Sequence, residues 1–257
     1  MKYISTRDKN KKVSSSIAIV QGISNDGGLF VPEVFPKICN LENLKNISYK
    51  GLALIIMSKF LTDFEPEVLQ KCVEKAYDDK FDDEEIAPVK KVGEDYFLEL
   101  FHGQTFAFKD MALSILPYLL KESMKINNIN KEVVILTATS GDTGKSALEG
   151  FANVEGVKII VFFPEDGVSK IQKLQMMTQE GENTFVVGIN GNFDDAQNGV
   201  KEIFVDKEFN RLLDEDGYIF SSANSINIGR LIPQIVYYFY SYLKLLNEGN
   251  IIEDEKL

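Results

Sequence analysis

Four apolar, β-branched runs, each followed by a stretch with helical spacing, govern what residues 131–247 can fold into. The runs are KEVVILTA (131–138), VKIIVFF (157–163), NTFVVGI (183–189) and YIFSSAN (218–224). The first of them, KEVVILTA, is as continuous as expected of a strand buried on both faces. KSALEGFANVEG, SKIQKLQMMTQEG, FDDAQNGVKEIF and the segment 229–247 follow them with the polar and apolar spacing of helices. This alternation predicts an α/β fold with an open, largely parallel sheet. In such sheets ligands bind beyond the carboxyl ends of the strands, where helix N-termini aim backbone N–H groups at anions. The loops after the runs are therefore where a site is expected.

The loop after the first run, TSGDTG at 139–144, has two glycines that permit close backbone approach and three hydroxyls able to donate. Ser140, Gly141, Asp142 and Thr143 are candidate contacts; a plain helix cap on Asp142 or Thr143 is the alternative. Gly144, Lys145 and Ser146 copy the end of a P-loop, but that motif's first glycine would fall on Thr139. The second run is followed by Pro164 and Glu165 before Asp166, so the metal-binding acid of a P-loop ATPase is also missing. A second polar cluster, SSANSINIGR at 221–230, follows the fourth run. Arg230 there offers a planar fork suited to phosphate or carboxylate, with Asn224 and Asn227 beside it. Its alternative is an asparagine cap with Arg230 as a surface charge. Leu231, Ile232, Ile235, Val236, Phe239, Leu243 and Leu246 are core-facing by spacing, and Met176 and Met177 read as core or lid packing.

Upstream, FHGQTFAFKDMALSIL at 101–116 surrounds Lys109 with apolar side chains just where the sequence turns helical. Desolvation and the positive end of a helix dipole both disfavour an ammonium there, and an amine kept partly neutral is what imine chemistry requires. A lysine that snorkels out to pair with Asp110 would satisfy the same local pattern. His102 is the only histidine, so no multi-histidine metal site can be built. A packing or capping role and a place near a cofactor both remain open for it.

Residues 13–36 read as a short hairpin or extended lead-in, turning at Asn25, Asp26, Gly27 and Gly28. Helical spacing over 41–77 predicts two or three helices, one starting at Pro66. DDKFDDEE at 78–85 reads as a solvated linker, which divides the chain into a mainly helical subdomain, 1–85, and an α/β catalytic region, 86–257. Residues 88–92 and 96–101 flank a turn, a hairpin signal. The formal net charge of -11 argues against nucleic acid or an anionic membrane as partner. Cys39 and Cys72 lack metal or disulfide spacing, and no apolar stretch resembles a signal sequence or membrane span. The chain reads as soluble and cytoplasmic.

FHGQTFAFKDMAL, TATSGDTGKSALEGF, FPEDGVSKIQKLQM and SSANSINIGRLIPQIVYYF, with YISTRD and DGGLFVPE near the start, resemble the successive motifs of threonine synthase, a pyridoxal-phosphate enzyme. The resemblance runs in order over nearly the whole chain. It implies fold type II, the tryptophan-synthase-β-like architecture, with pyridoxal 5'-phosphate carried by Lys109. It implies conversion of O-phospho-L-homoserine and water to L-threonine and phosphate, with Lys109 as general acid/base. Asp142, with Gly141, would lie near the cofactor's 3'-oxygen, and Ser140 and Thr143 would hold the substrate's carboxylate or phosphate. Arg230, Asn224 and Asn227 would clamp the substrate phosphate.

Gln104 departs from the family's usual proline, and Ile228 from its common tryptophan. Family members also continue beyond Leu257 into a glycine- and asparagine-rich loop that grips the cofactor phosphate. The 257 residues therefore resemble an N-terminal portion, expected to hold cofactor poorly and to be inactive alone. A serine/threonine dehydratase-like enzyme and a non-catalytic small-anion-binding module are the competing readings.

Overall fold

The computed structural model describes residues 1–38 and 41–252; Cys39 lies outside them. The chain opens with strands β1 (Tyr3–Ser5) and β2 (Lys12–Val13), helix α1 (Ser15–Gln21) and strand β3 (Phe30–Pro32). The strands form an antiparallel sheet in the order β2-β1-β3. The expected extended lead-in thus contains a helix. Its start is fixed by Ser14, whose side chain accepts from the Ile17 N–H, and Gly22 closes it at φ 68°. A 3-10 turn (Leu41–Leu44) leads to α2 (Tyr49–Phe60), capped by Ser48, and to α3 (Pro66–Ala76), with Pro66 in its first turn. The hairpin β4 (Val89–Val92) and β5 (Asp95–Leu98) forms as the turn signal implies.

After α4 (Asp110–Leu113) and α5 (Leu116–Ile126) the expected alternation begins: β6 (Glu132–Ala138), α6 (Asp142–Phe151), β7 (Val157–Pro164), α7 (Lys170–Met177), β8 (Thr184–Ile189), α8 (Phe193–Val205), α9 (Lys207–Glu215), β9 (Tyr218–Ser222) and α10 (Ile228–Asn247). The four strands are parallel, in the order β8-β7-β6-β9. Helix α9 was not legible, because its polar segment buries no residue.

Strand β6 is buried on both faces. Val133 and Ile135 enter the large core shared with α1, α2, α5, α6 and α10, while Val134, Leu136 and Ala138 enter a smaller cluster with Ala196 and Val200 of α8. Each fully buried Val, Ile or Leu here stabilises the fold by about 1.5–3 kcal/mol. The large core also takes in Leu52, Ile56 and Leu69 from before residue 85 and Tyr237, Tyr240 and Leu243 from α10. Among the described residues no helix is long and apolar enough to cross a membrane, and no cluster of three or more His, Cys, Asp or Glu side chains could hold a metal.

Strand order matters for function. The chain winds from β6 outward through β7 to β8, then returns to place β9 on the other flank of β6. The direction of winding therefore reverses between β6 and β9, and a crevice opens at their carboxyl ends.

Candidate active site

Lys109 and the loop after β6 meet at this crevice because α4 and α6 cross almost backbone to backbone. A Cβ on Gly150 of α6 would stand 2.4 Å from the Leu113 carbonyl oxygen of α4, so only glycine lets the helices approach this closely. The crossing sets Lys109 Nζ 3.5 Å from Asp142 Oδ2 and 4.1 Å from the centre of the Phe108 ring. The lysine side chain is 17% exposed and Asp142 is 47% exposed. Lys109 therefore faces Asp142 rather than Asp110. Helix α4 is a single turn, so the dipole expected at Lys109 contributes little.

Asp110 is buried and serves the backbone instead. Its carboxylate accepts from the Thr105 N–H at 2.7 Å and the Thr105 hydroxyl at 2.6 Å, and Thr105 Oγ1 lies 2.7 Å from Ser146 Oγ of α6. This network ties the turn before Lys109 to α6. Phe106 within the turn has φ 58° and is 71% exposed, a strained setting for an aromatic residue.

The loop at 139–144 is built by Thr139, a role the sequence did not disclose. Its Oγ1 accepts from the N–H groups of Gly141 at 3.0 Å and Gly144 at 2.9 Å. Gly141 takes φ 150°, ψ -99°, a conformation reserved for glycine. Asp142 and Thr143 begin α6, where N–H groups have no intrahelical acceptor and are available to an anion. Ser140 is exposed and Thr143 half-buried beside them. Lys145, the rival amine, is held by Glu149 at 2.8 Å and by Gln179.

Across the crevice, Asn224 joins the two strand ends. Its Oδ1 accepts from Ala138 N at 3.0 Å and its Nδ2 donates to Ala138 O at 2.8 Å, extending the β6–β9 ladder by one side-chain rung. Asn227 caps α10, accepting from Gly229 N and donating to the carbonyls of Ile19 and Ser222. Both asparagines are thus engaged by backbone. Arg230 is not a surface charge: it is 4% exposed, donates from one terminal nitrogen to Ala223 O at 2.9 Å, and leaves its buried Nε without a partner. Among the described residues no carboxylate pairs with it. Burial pulls its pKa down to about 10, with Tyr237 opposing the shift, so it remains a cation at neutral pH. Arg230 is therefore a buried cation with an unmet donor, an uncommon arrangement in a folded protein.

His102 lies between Asp82, 2.6 Å from Nδ1, and Glu99, 3.0 Å from Nε2, and stacks on Phe101. Burial disfavours its charge, but the hydrogen bonds to Glu99 and Asp82 prevail and raise its pKa above the ordinary value. A raised pKa makes its contribution fullest below about pH 6.5, the unfolded value, and removes it as pH climbs through the folded one. The stability difference between wild type and His102→Gln should accordingly be larger at pH 6 than at pH 9, read by urea unfolding. An equal difference at both would remove the bridge to the acidic segment.

Two open clefts, of approximately 380 Å³ beside Tyr49, Tyr240 and Lys244 and approximately 530 Å³ beside Tyr118 and Lys121, are lined without Lys109 or Asp142. Lys109, Asp142 and the first N–H groups of α6 instead stand together in the open, beyond the carboxyl end of β6.

Comparison with known proteins places the sequence and the fold among relatives. Residues 2–77 match the family model described as threonine synthase N terminus, and residues 86–233 match that of pyridoxal-phosphate dependent enzymes. The chain is 39% identical over 269 residues to threonine synthase-like 1 of Homo sapiens, covering 97% of this chain and 36% of that protein. It is 38% identical over 260 residues to the threonine synthase of Eremothecium gossypii, covering 94% and 49%. Among solved structures, the pyridoxal-phosphate-bound threonine synthase from Brucella melitensis superposes with a TM-score of 0.82 at 35% identity, covering 95% of this chain and 52% of that one. For the Escherichia coli threonine synthase the values are 0.83, 34%, 95% and 54%. The chain thus spans between about a third and about half of the length of these relatives.

Proposed function

We propose, from the premise that this chain belongs to the threonine synthase-like family of pyridoxal-phosphate-dependent enzymes, that the protein converts O-phospho-L-homoserine and water to L-threonine and phosphate. The observation that carries the reading is the largely buried Lys109 amine 3.5 Å from Asp142 at the start of α6. Pyridoxal phosphate is the family's cofactor, and the residues here suit it: an amine to receive the aldehyde, with the exposed Ser140 and Asp142 beside it at the start of α6. When bound, the cofactor supplies an electron sink for negative charge on the substrate's carbons.

The remaining work falls to the chain's own groups. Lys109 Nζ takes the proton from the substrate's Cα and moves protons at Cβ and Cγ, as phosphate leaves Cγ and water adds at Cβ. Asp142 holds that amine in place and would lie near the cofactor's 3'-oxygen. Ser140, Thr143 and the free N–H groups of the first α6 turn hold the substrate carboxylate or phosphate. Arg230 would offer its guanidinium to the substrate phosphate, while Asn224 and Asn227 fix the strand end and helix start beside it. A dehydratase of serine or threonine would have no phosphate for this guanidinium, which favours the synthase. Residues 1–85 act as a brace for the α/β part, through α1 against α5 and α2 against α10. The net charge of -11 fits a cytoplasmic enzyme with neither nucleic acid nor membrane as partner.

The test is phosphate release and threonine formation from O-phospho-L-homoserine by the full-length protein. Keto-acid formation from serine or threonine without threonine synthesis would contradict the proposal. Arg230→Ala removes one charge-assisted contact of about 1.5–3 kcal/mol and should lower turnover about ten- to a hundred-fold. The visible band formed with pyridoxal phosphate should persist in that variant. Unchanged kinetics would take Arg230 out of the substrate site.

A further inference from the structure

Gln172, on α7, lies outside the motifs that touch Lys109 directly, yet its carboxamide is held on three sides. Its Oε1 accepts from Ser169 N at 3.4 Å and Ser169 Oγ at 3.1 Å, completing the capping box of α7. Its Nε2 donates to Asp142 Oδ1 at 2.6 Å. Its amide plane rests on Gly141, where an added Cβ would meet Cδ, Nε2 and Oε1 at 2.5–2.6 Å. The opposite oxygen of Asp142 is the one that faces Lys109 Nζ at 3.5 Å. Ser169, Gln172, Asp142 and Lys109 therefore form one continuous line of contacts from α7 to the amine.

We infer that Gln172 is a positioning residue for the active site: by engaging one oxygen of Asp142 it presents the other to Lys109. Asp142 is about half exposed and would otherwise be free to rotate into water. An amide alone among side chains of this size meets both demands, accepting from the Ser169 end and donating to the carboxylate. Glutamate would face Asp142 carboxylate to carboxylate, and methionine would donate nothing. The consequence for turnover rests on the proposed role of Lys109; the contact itself does not.

The test reads the amine in the cofactor-free full-length protein. Trace acetylation of Lys109 by acetic anhydride at pH 8 is measured by mass spectrometry, with Lys145 as the internal standard. Gln172→Met should speed labelling of Lys109 about two- to fivefold, the effect expected of a partly exposed ion pair. Asp142→Asn should do the same, and the double variant should go no faster than Asp142→Asn alone. Ser169→Ala, which breaks the helix cap but keeps the N–H that Oε1 accepts, should leave the rate unchanged. If Gln172→Met and Asp142→Asn add independently, or if Gln172→Met only tracks Ser169→Ala, Gln172 is a helix cap and the inference falls. A visible band with pyridoxal phosphate is recorded on the same wild-type sample. Coupled labelling without that band would support the Gln172 assignment and overturn the proposed function.

Discussion

Replacing Lys109 with alanine should lower turnover of O-phospho-L-homoserine by about a hundred- to ten-thousand-fold, the range lost when a positioned proton-transfer group is removed. The visible band with pyridoxal phosphate should vanish as well, because Lys145 is engaged by Glu149 and Gln179. The fold should survive. Lys109 Nζ lies 3.5 Å from Asp142 and over the Phe108 ring, and a partly exposed pair of this kind contributes at most about 1 kcal/mol to stability. An unfolding midpoint near that of wild type, measured beside the activity, would separate lost chemistry from lost structure. Retained turnover in a folded Lys109→Ala protein would end the assignment.

Gly141→Ala should be nearly as damaging, for a different reason. Alanine at φ 150° carries a backbone strain of about 1–3 kcal/mol. The new methyl would also fall 2.5–2.6 Å from the Gln172 carboxamide, which cannot stay and still reach Asp142. For a chain of this size each kcal/mol lowers the melting temperature by about 2–4 °C, so a fall of about 2–12 °C is expected. Cofactor loading, followed by the visible band, should weaken at least tenfold, roughly 1.4 kcal/mol, because backbone and side chain at the start of α6 both move. A variant that melts with wild type and loads fully would mean that residue 141 tolerates a side chain and that the loop is not a close-approach surface.

The parallel sheet was legible because its signal is local: runs such as KEVVILTA cannot be half-solvated, and the glycine- and hydroxyl-rich loop after the first run marks a strand-to-helix junction. Helix α1 was hidden because SSIAIVQ is short, serine-rich and β-branched, a poor helix former whose capping by Ser14 and packing on α5 override its propensity. The site was legible as residue types and illegible as pairings. Asp110 is next to Lys109 in sequence, yet Asp142 faces it, because the choice depends on the α4–α6 crossing at Gly150 and on Thr105 claiming Asp110. The surface-charge alternative for Arg230 is removed by the path of α10, which buries it. Gln172 closes the capping box of α7 in the structure, and its second bond, to a residue thirty positions away, has no sequence signal.

The central claim, that Lys109 is the reactive amine of a pyridoxal-phosphate enzyme, is tested most directly by locating the covalent link. The full-length protein is incubated with pyridoxal phosphate, reduced with borohydride, digested and mapped by mass spectrometry. The account predicts a pyridoxyl group on Lys109 in the peptide containing FAFKDMAL. A pyridoxyl group on Lys145, or no specific adduct on any lysine, would contradict it.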